Sequence, residues 1–159
     1  MKKVIFTLIL ALASVASMTA GKGDFAGAVQ FSYASKYEQF AIGAQVQYEI
    51  LNNLRIATVY NHYFENDNVT ADNLDLNLHY LIYHTSSVSI YPIAGLAWTN
   101  FSTDLPTGGS DDTSKFGANL GCGVEYHITP KVSFFTEEIY QMMSDHNQSV
   151  TNMGFKLRF

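Results

Sequence analysis

The sequence predicts an all-β fold, an eight-stranded antiparallel up-and-down transmembrane β-barrel, and three observations predict it. Apolar and polar residues alternate with period 2 in one segment after another, most cleanly in the last nine residues, where Met153, Phe155, Leu157 and Phe159 oppose Asn152, Gly154, Lys156 and Arg158. Charged residues make up 14% of the chain, against about 25% in an average soluble domain, yet nothing beyond the N-terminus is long and apolar enough for a spanning helix. The connections alternate between short and long, the habit of barrels with tight turns on one side of a membrane and loops on the other.

Residues 1–20 read as a secretory signal peptide: Lys2 and Lys3 precede an apolar run, and small residues follow. Ser14-Val15-Ala16 fits the small-x-small cleavage rule best, and Ala20 serves as the working boundary, within a range of 16–21. Residues 21–159 then form one domain of 139 residues, with 7 basic against 14 acidic side chains once Lys2 and Lys3 are removed. That acidity, without a basic stripe, excludes nucleic acid as a partner. The single Cys122 excludes an internal disulfide, so backbone pairing and packing must supply the stability.

Strand one is residues 25–33, with Phe25, Val29, Phe31 and Tyr33 on one parity, and a polar bend at 34–39 follows. Strand two, 40–50, alternates almost without a break. Asparagines at 52 and 53 turn the chain into strand three, 54–64. An acidic loop at 65–73 precedes strand four, 74–83, and 85–87 is a short turn. Strand five, 88–101, has two faces that periodicity does not separate, and Pro92 marks a strand start or a bulge because it lacks a ladder donor. After the longest loop, 102–114, strand six runs from 116 to 127, with turn 129–131, strand seven at 132–141, a polar loop at 142–150 and strand eight at 151–159.

A soluble barrel with an apolar interior would show the same alternation, so the direction of the faces needs separate evidence. Phe25 with Tyr33, Phe40 with Tyr48 and Phe116 with Tyr126 bracket aliphatic strand centres on the apolar parity. That pattern is two aromatic girdles around a lipid-facing band. The polar parity is small and hydrogen-bonding, suited to filling a narrow lumen. Its charges are Glu49, Asp75, Glu125 and one of Glu137 or Glu138, against Arg55, Lys156 and Arg158. An internal ion-pair and amide network is expected, with Glu137 carried as its fourth acid, because isolated buried charges are too costly. Pairing of Ile50 with Leu54 across the 51–53 turn would place Glu49 opposite Arg55, both pointing inward.

With these residues in view, the chain resembles the small eight-stranded bacterial outer-membrane barrels of the OmpA/OmpX type over essentially the whole of residues 21–159. Asn152, Gly154, Leu157 and Phe159 are similar to the C-terminal signal read by the outer-membrane barrel assembly machinery, and Gly117 to Tyr126 (GANLGCGVEY) looks like a Gly-rich barrel strand ending in Val-Glu-Tyr. The resemblance implies export to the bacterial cell outer membrane, contact with outer-membrane lipid and lipopolysaccharide, and a monomer. Larger family members add a peptidoglycan-binding domain, for which the chain after Phe159 leaves no room, so that activity is not expected.

The function expected is non-enzymatic: a barrel with a plugged lumen that contributes to envelope integrity or surface contact. The acidic outer loops, with Glu65, Asp67, Asp72, Asp104, Asp111, Asp112 and Asp145, are the expected contact surface. Porin-like transport through a narrow channel is the alternative, disfavoured because eight strands leave an interior just filled by side chains. A lipid A-modifying enzyme is the last reading. His127, Thr129 and Glu137 invite it, but Thr129 falls in a turn on the side away from outer-leaflet substrate. No cofactor is expected, and the five histidines lack the spacing of metal ligands.

Overall fold

The computed structural model describes residues 24–36, 38–66, 69–104, 110–144 and 147–159; the signal-peptide expectation for residues 1–20 lies outside them. The ladder segments are β1 (Phe25–Ala34), β2 (Gln39–Leu51), β3 (Leu54–Asn66), β4 (Val69–Tyr80), β5 (Tyr83–His84), β6 (Val88–Asp104), β7 (Ser110–His127), β8 (Val132–Met143) and β9 (Gln148–Arg158). The two residues of β5 prolong β4 along β6, so the sheet has eight staves. Each stave pairs antiparallel with its neighbours in sequence, and β1 pairs with β9, which closes the barrel and leaves no edge.

The registers set the stagger of that closure. One row of partners runs Gln39, Ala34, Val150, Ile139, Gly121, Ile93, His79, Arg55 and back to β2 at Glu49, ten residues from its start. A stagger of this size tilts the strands by roughly 35–45° and fixes the diameter. It also carries each row steadily from the end with the long connections, the loop end, to the end with the short ones, the turn end. Both the start of β1 and the end of β9 lie at the turn end, where Phe159 donates its backbone N–H to Phe25 O at 2.9 Å.

The faces are inside out relative to a soluble barrel. Phe31, Leu120 and Phe155 are more than half exposed, whereas Arg55 is 2% and Glu125 0% exposed. A continuous exposed belt of Val, Leu, Ile and Phe far exceeds the patches a soluble monomer leaves uncovered. The two faces of β6 separate here: Ser89, Tyr91, Ile93, Ala97, Thr99 and Phe101 point inward, and Ile90, Pro92, Leu96 and Trp98 point outward. Between the pairs His79↔Ile93 and Tyr83↔Ile90, three residues of the fourth stave face two of β6. Pro92 therefore sits at a bulge formed by the opposing strand, where its missing donor costs no ladder bond.

The ladders outrun the segments predicted as strands. The expected loops 65–73, 102–114 and 142–150 contract, since β4 begins at Val69, β6 reaches Asp104, β7 begins at Ser110, and β8 and β9 extend to Met143 and from Gln148. Hydrophobic alternation marks only the lipid band, whereas backbone pairing continues above it wherever two strands already lie side by side. Residues 81–82 likewise break from the strand expected over 74–83, because the bulge interrupts the ladder between Tyr80 and Tyr83.

Candidate functional site

The chemistry of this barrel is concentrated in its lumen, in layers set by the stagger. At the turn end, Glu49 and Arg55 are direct partners across the β2–β3 hairpin, and Arg55 Nε donates to Glu49 Oε1 at 2.8 Å. Arg55 Nη1 reaches across the lumen and donates to Glu125 Oε2 on β7 at 2.8 Å. Lys156 on β9 also contacts Glu125 Oε2 and donates to Gln47 Oε1 at 3.1 Å. Arg158 Nη2 stands 4.0 Å from Glu125 Oε1. Glu125 is thus the hub of three cations, and each of its close partners is buried. The space at the mouth among Gln47, Glu49, Arg55, Lys156 and Arg158 is about 10 Å³, room for at most one water.

A second set of polar contacts crosses four successive staves at the same end. His84 Nδ1 and Ser89 Oγ lie 2.6 Å apart, Ser89 Oγ and His127 Nε2 2.8 Å, and His127 Nδ1 and Ser133 Oγ 2.9 Å. His127 Nδ1 also stands 3.4 Å from Glu125 Oε1, which ties this belt to the hub.

Above the hub, Tyr91 crosses the face of Gly123, and its hydroxyl donates to Glu137 Oε1 at 3.0 Å. A side chain at 123 would collide with the Tyr91 ring, which is why glycine is required there. His79 stacks on Tyr91 with ring centroids 4.9 Å apart, and Leu81, Tyr91, Ile93 and Ile139 form a small internal apolar cluster. Nearer the loop end Asp75 accepts from Asn73 Nδ2 at 3.0 Å and Gln141 Nε2 at 3.4 Å. Asn119 donates to Asn77, and Gln30 donates to Asn61. An apolar layer of Ala34, Ala41, Tyr63, Ala71, Phe101 and Val150 lies inside the loop end.

Several expected site residues fall differently from the sequence reading. Asp75 does not join the ion pairs among the described residues; amides surround it because the stagger lifts it above the cations. Of the two adjacent acids on β8, Glu137 is buried inward, while Glu138 is exposed on the outer surface and accepts from Ser149 Oγ at 2.8 Å and Thr151 Oγ1 at 2.6 Å. Glu65, Asp72, Asp104, Asp111 and Asp112 stand on strand extensions, not in loops, for the pairing reason given above. Asp67 and Asp145 lie outside the described residues. Asp72 is engaged by Tyr60 Oη at 2.6 Å and His62 Nδ1 at 2.8 Å.

On the outer surface Phe25 packs on Tyr48 at 4.7 Å and Tyr33 on Phe40 at 5.0 Å between ring centroids. Phe116 pairs with Trp98 toward the loop end, and Tyr126 lies at the turn end. In β9, Asn152 and Gly154 face inward and Leu157 outward, and Phe159, one residue beyond the strand, is exposed; a Cβ at Gly154 would meet Val29 O of the closing strand. Thr129 uses its hydroxyl to accept from Lys131 N and Val132 N within the turn, so His127, Thr129 and Glu137 are not brought together. Periodicity did not reveal Tyr91, because β6 carries large side chains on both faces; the Gly123 opposite was the available signal.

Comparison with known proteins agrees with this architecture. The N-terminal β-barrel domain of Pseudomonas aeruginosa OprF superposes with a TM-score of 0.75 at 18% identity, over 87% of this chain and 100% of that one. Neisserial surface protein A gives 0.67 at 20% identity, over 86% and 96%. The attachment invasion locus protein Ail of Yersinia pestis, solved with the heparin analogue sucrose octasulfate, gives 0.63 at 15% identity, over 87% and 100%. No curated protein sequence matches the chain. A family model described as the outer membrane protein beta-barrel domain matches residues 5–159. With its closed antiparallel barrel and apolar outer belt, the chain belongs to the outer membrane protein beta-barrel domain family and resides in the bacterial outer membrane.

Proposed function

We infer that this barrel is a non-enzymatic, monomeric outer-membrane protein with a closed lumen, contributing to envelope integrity or surface contact at its loop end. One observation carries the closed lumen: the Arg55–Glu125–Lys156 cluster ties β3, β7 and β9 together across the interior. The apolar layer around Tyr63 and Phe101 supports the same reading at the other end. A conducting path would have to separate charges that are buried together, which is costly.

The exposed acids Glu65, Asp72 and Asp112 on the strand extensions form the proposed contact surface. They suit divalent ions bridging the lipopolysaccharide layer and disfavour a polyanion such as the heparin analogue bound to the Yersinia protein. Asn152, Gly154, Leu157 and Phe159 are proposed as the signal for the barrel assembly machinery. Planar-bilayer recordings test the closed lumen: the wild-type barrel is expected to give no stable conductance, and Glu125→Ala to introduce openings. Stable wild-type conductance would replace this reading with porin-like transport.

A further inference from the structure

An open groove of about 370 Å³ lies on the rim at the turn end, lined by His84, His127 and Arg158 with Ser86, Ile128 and Pro130. This volume is at the small end of ligand-binding clefts. None of the residues lining it is acidic. Its bases are held in place. Ser89 engages His84 through Nδ1 and leaves the other ring nitrogen for a ligand, while His127 is fixed on both nitrogens by Ser89 and Ser133. Arg158 keeps a partly exposed guanidinium, whose ion pair with Glu125 is 4.0 Å long.

The apolar surroundings define the ligand further. Each base is adjacent in sequence to an exposed aromatic, Tyr83 beside His84, Tyr126 beside His127 and Phe159 beside Arg158, and Ile128 is exposed among them. The Arg158 cation with the His84 imidazole on the rim side and aromatics on the membrane side match a molecule with an anionic head and an apolar tail. A small soluble anion would use the bases and leave the aromatic flank unused. We propose that this groove binds the phosphate headgroup of an anionic phospholipid in the periplasmic leaflet. The placement rests on the outer-membrane orientation, with the short turns in the periplasm.

The test uses the refolded barrel in symmetric vesicles of phosphatidylcholine with and without phosphatidylglycerol, and reads the relative association of a fluorophore-labelled phosphatidylglycerol by quenching. The wild-type protein is expected to prefer phosphatidylglycerol. Arg158→Gln should lower that preference by about fivefold, the contribution of one cation near an anionic surface, and His84→Gln by less, through loss of a hydrogen bond. Both variants should keep the mobility shift between boiled and unboiled samples. Absence of a wild-type preference, or a preference unchanged in both variants, overturns the proposal. Equal binding of inorganic phosphate in pure phosphatidylcholine, read as displacement of the label, overturns the assignment to lipid. If a variant fails to fold, the wild-type lipid and phosphate arms still decide. Because the anionic lipid is present in both leaflets, a negative result is independent of barrel orientation and of lumen conductance.

Discussion

Glu125 on β7 and Lys156 on β9 touch across the intervening strand β8, both buried, and Arg55 donates to the same carboxylate oxygen from the far wall. On the inward face of β8, Ser133 stands opposite Lys156 and Phe135 opposite Glu125. Glu125→Gln leaves two buried cations without their common partner and is expected to destabilise the barrel by about 3–5 kcal/mol. Urea unfolding followed by the gel mobility shift measures it. In the Glu125→Gln/Lys156→Met double variant the loss should be clearly smaller than the sum of the single losses; additivity would mean that the two residues do not act as a pair.

Gly123 is predicted to be the lumen glycine whose tolerance of a side chain depends on one neighbour, Tyr91. Gly123→Ala drives a methyl group into the Tyr91 ring and disturbs its bond to Glu137, an overpacking expected to cost about 1–3 kcal/mol. Tyr91→Ser should remove most of that additional penalty. Equal sensitivity to Gly123→Ala with and without the tyrosine would contradict the crossing geometry.

Glu138 is a carboxyl on the outward face, joined to Ser149 and Thr151 and in the row between Thr151 and Cys122. Charged side chains facing lipid are unfavourable, acids less so than bases. Glu138→Leu should therefore leave folding intact and raise stability by about 1 kcal/mol in phosphatidylcholine vesicles. A clear loss of stability would show that the two hydroxyl bonds outweigh the transfer of an acid into hydrocarbon.

Removal of Phe159 deletes one exposed aromatic and the backbone bond to Phe25 that completes the closing seam. If the terminal residues also act as an assembly signal, the truncated chain should refold in detergent with only a modest stability loss, yet reach the outer membrane of cells in strongly reduced amount. Pulse-chase measurement of heat-modifiable protein separates the two effects, and normal cellular assembly would argue against the signal.

Length, alternation and turn residues were sufficient to read eight strands, their order and an inside-out barrel, because the two-residue period and the aromatic brackets are local properties. Glu49 does stand opposite Arg55, but not through the expected pairing of Ile50 with Leu54: Leu51 pairs with Leu54, and a register shift at Ile50 brings Glu49 back opposite Arg55. Closure decided the rest. The ten-residue stagger brings Arg55, Glu125 and Lys156 to one level and leaves Asp75 among amides above them, a relation that no single segment encodes. The faces of residues 88–101 were unreadable because large side chains occupy both parities; only pairing with β4 and β7 turns Tyr91 inward over Gly123. The His84–Ser89–His127–Ser133 belt belongs to the same class. Each residue is unremarkable in its own strand, and the set exists only because four staves end together at the turn-end rim.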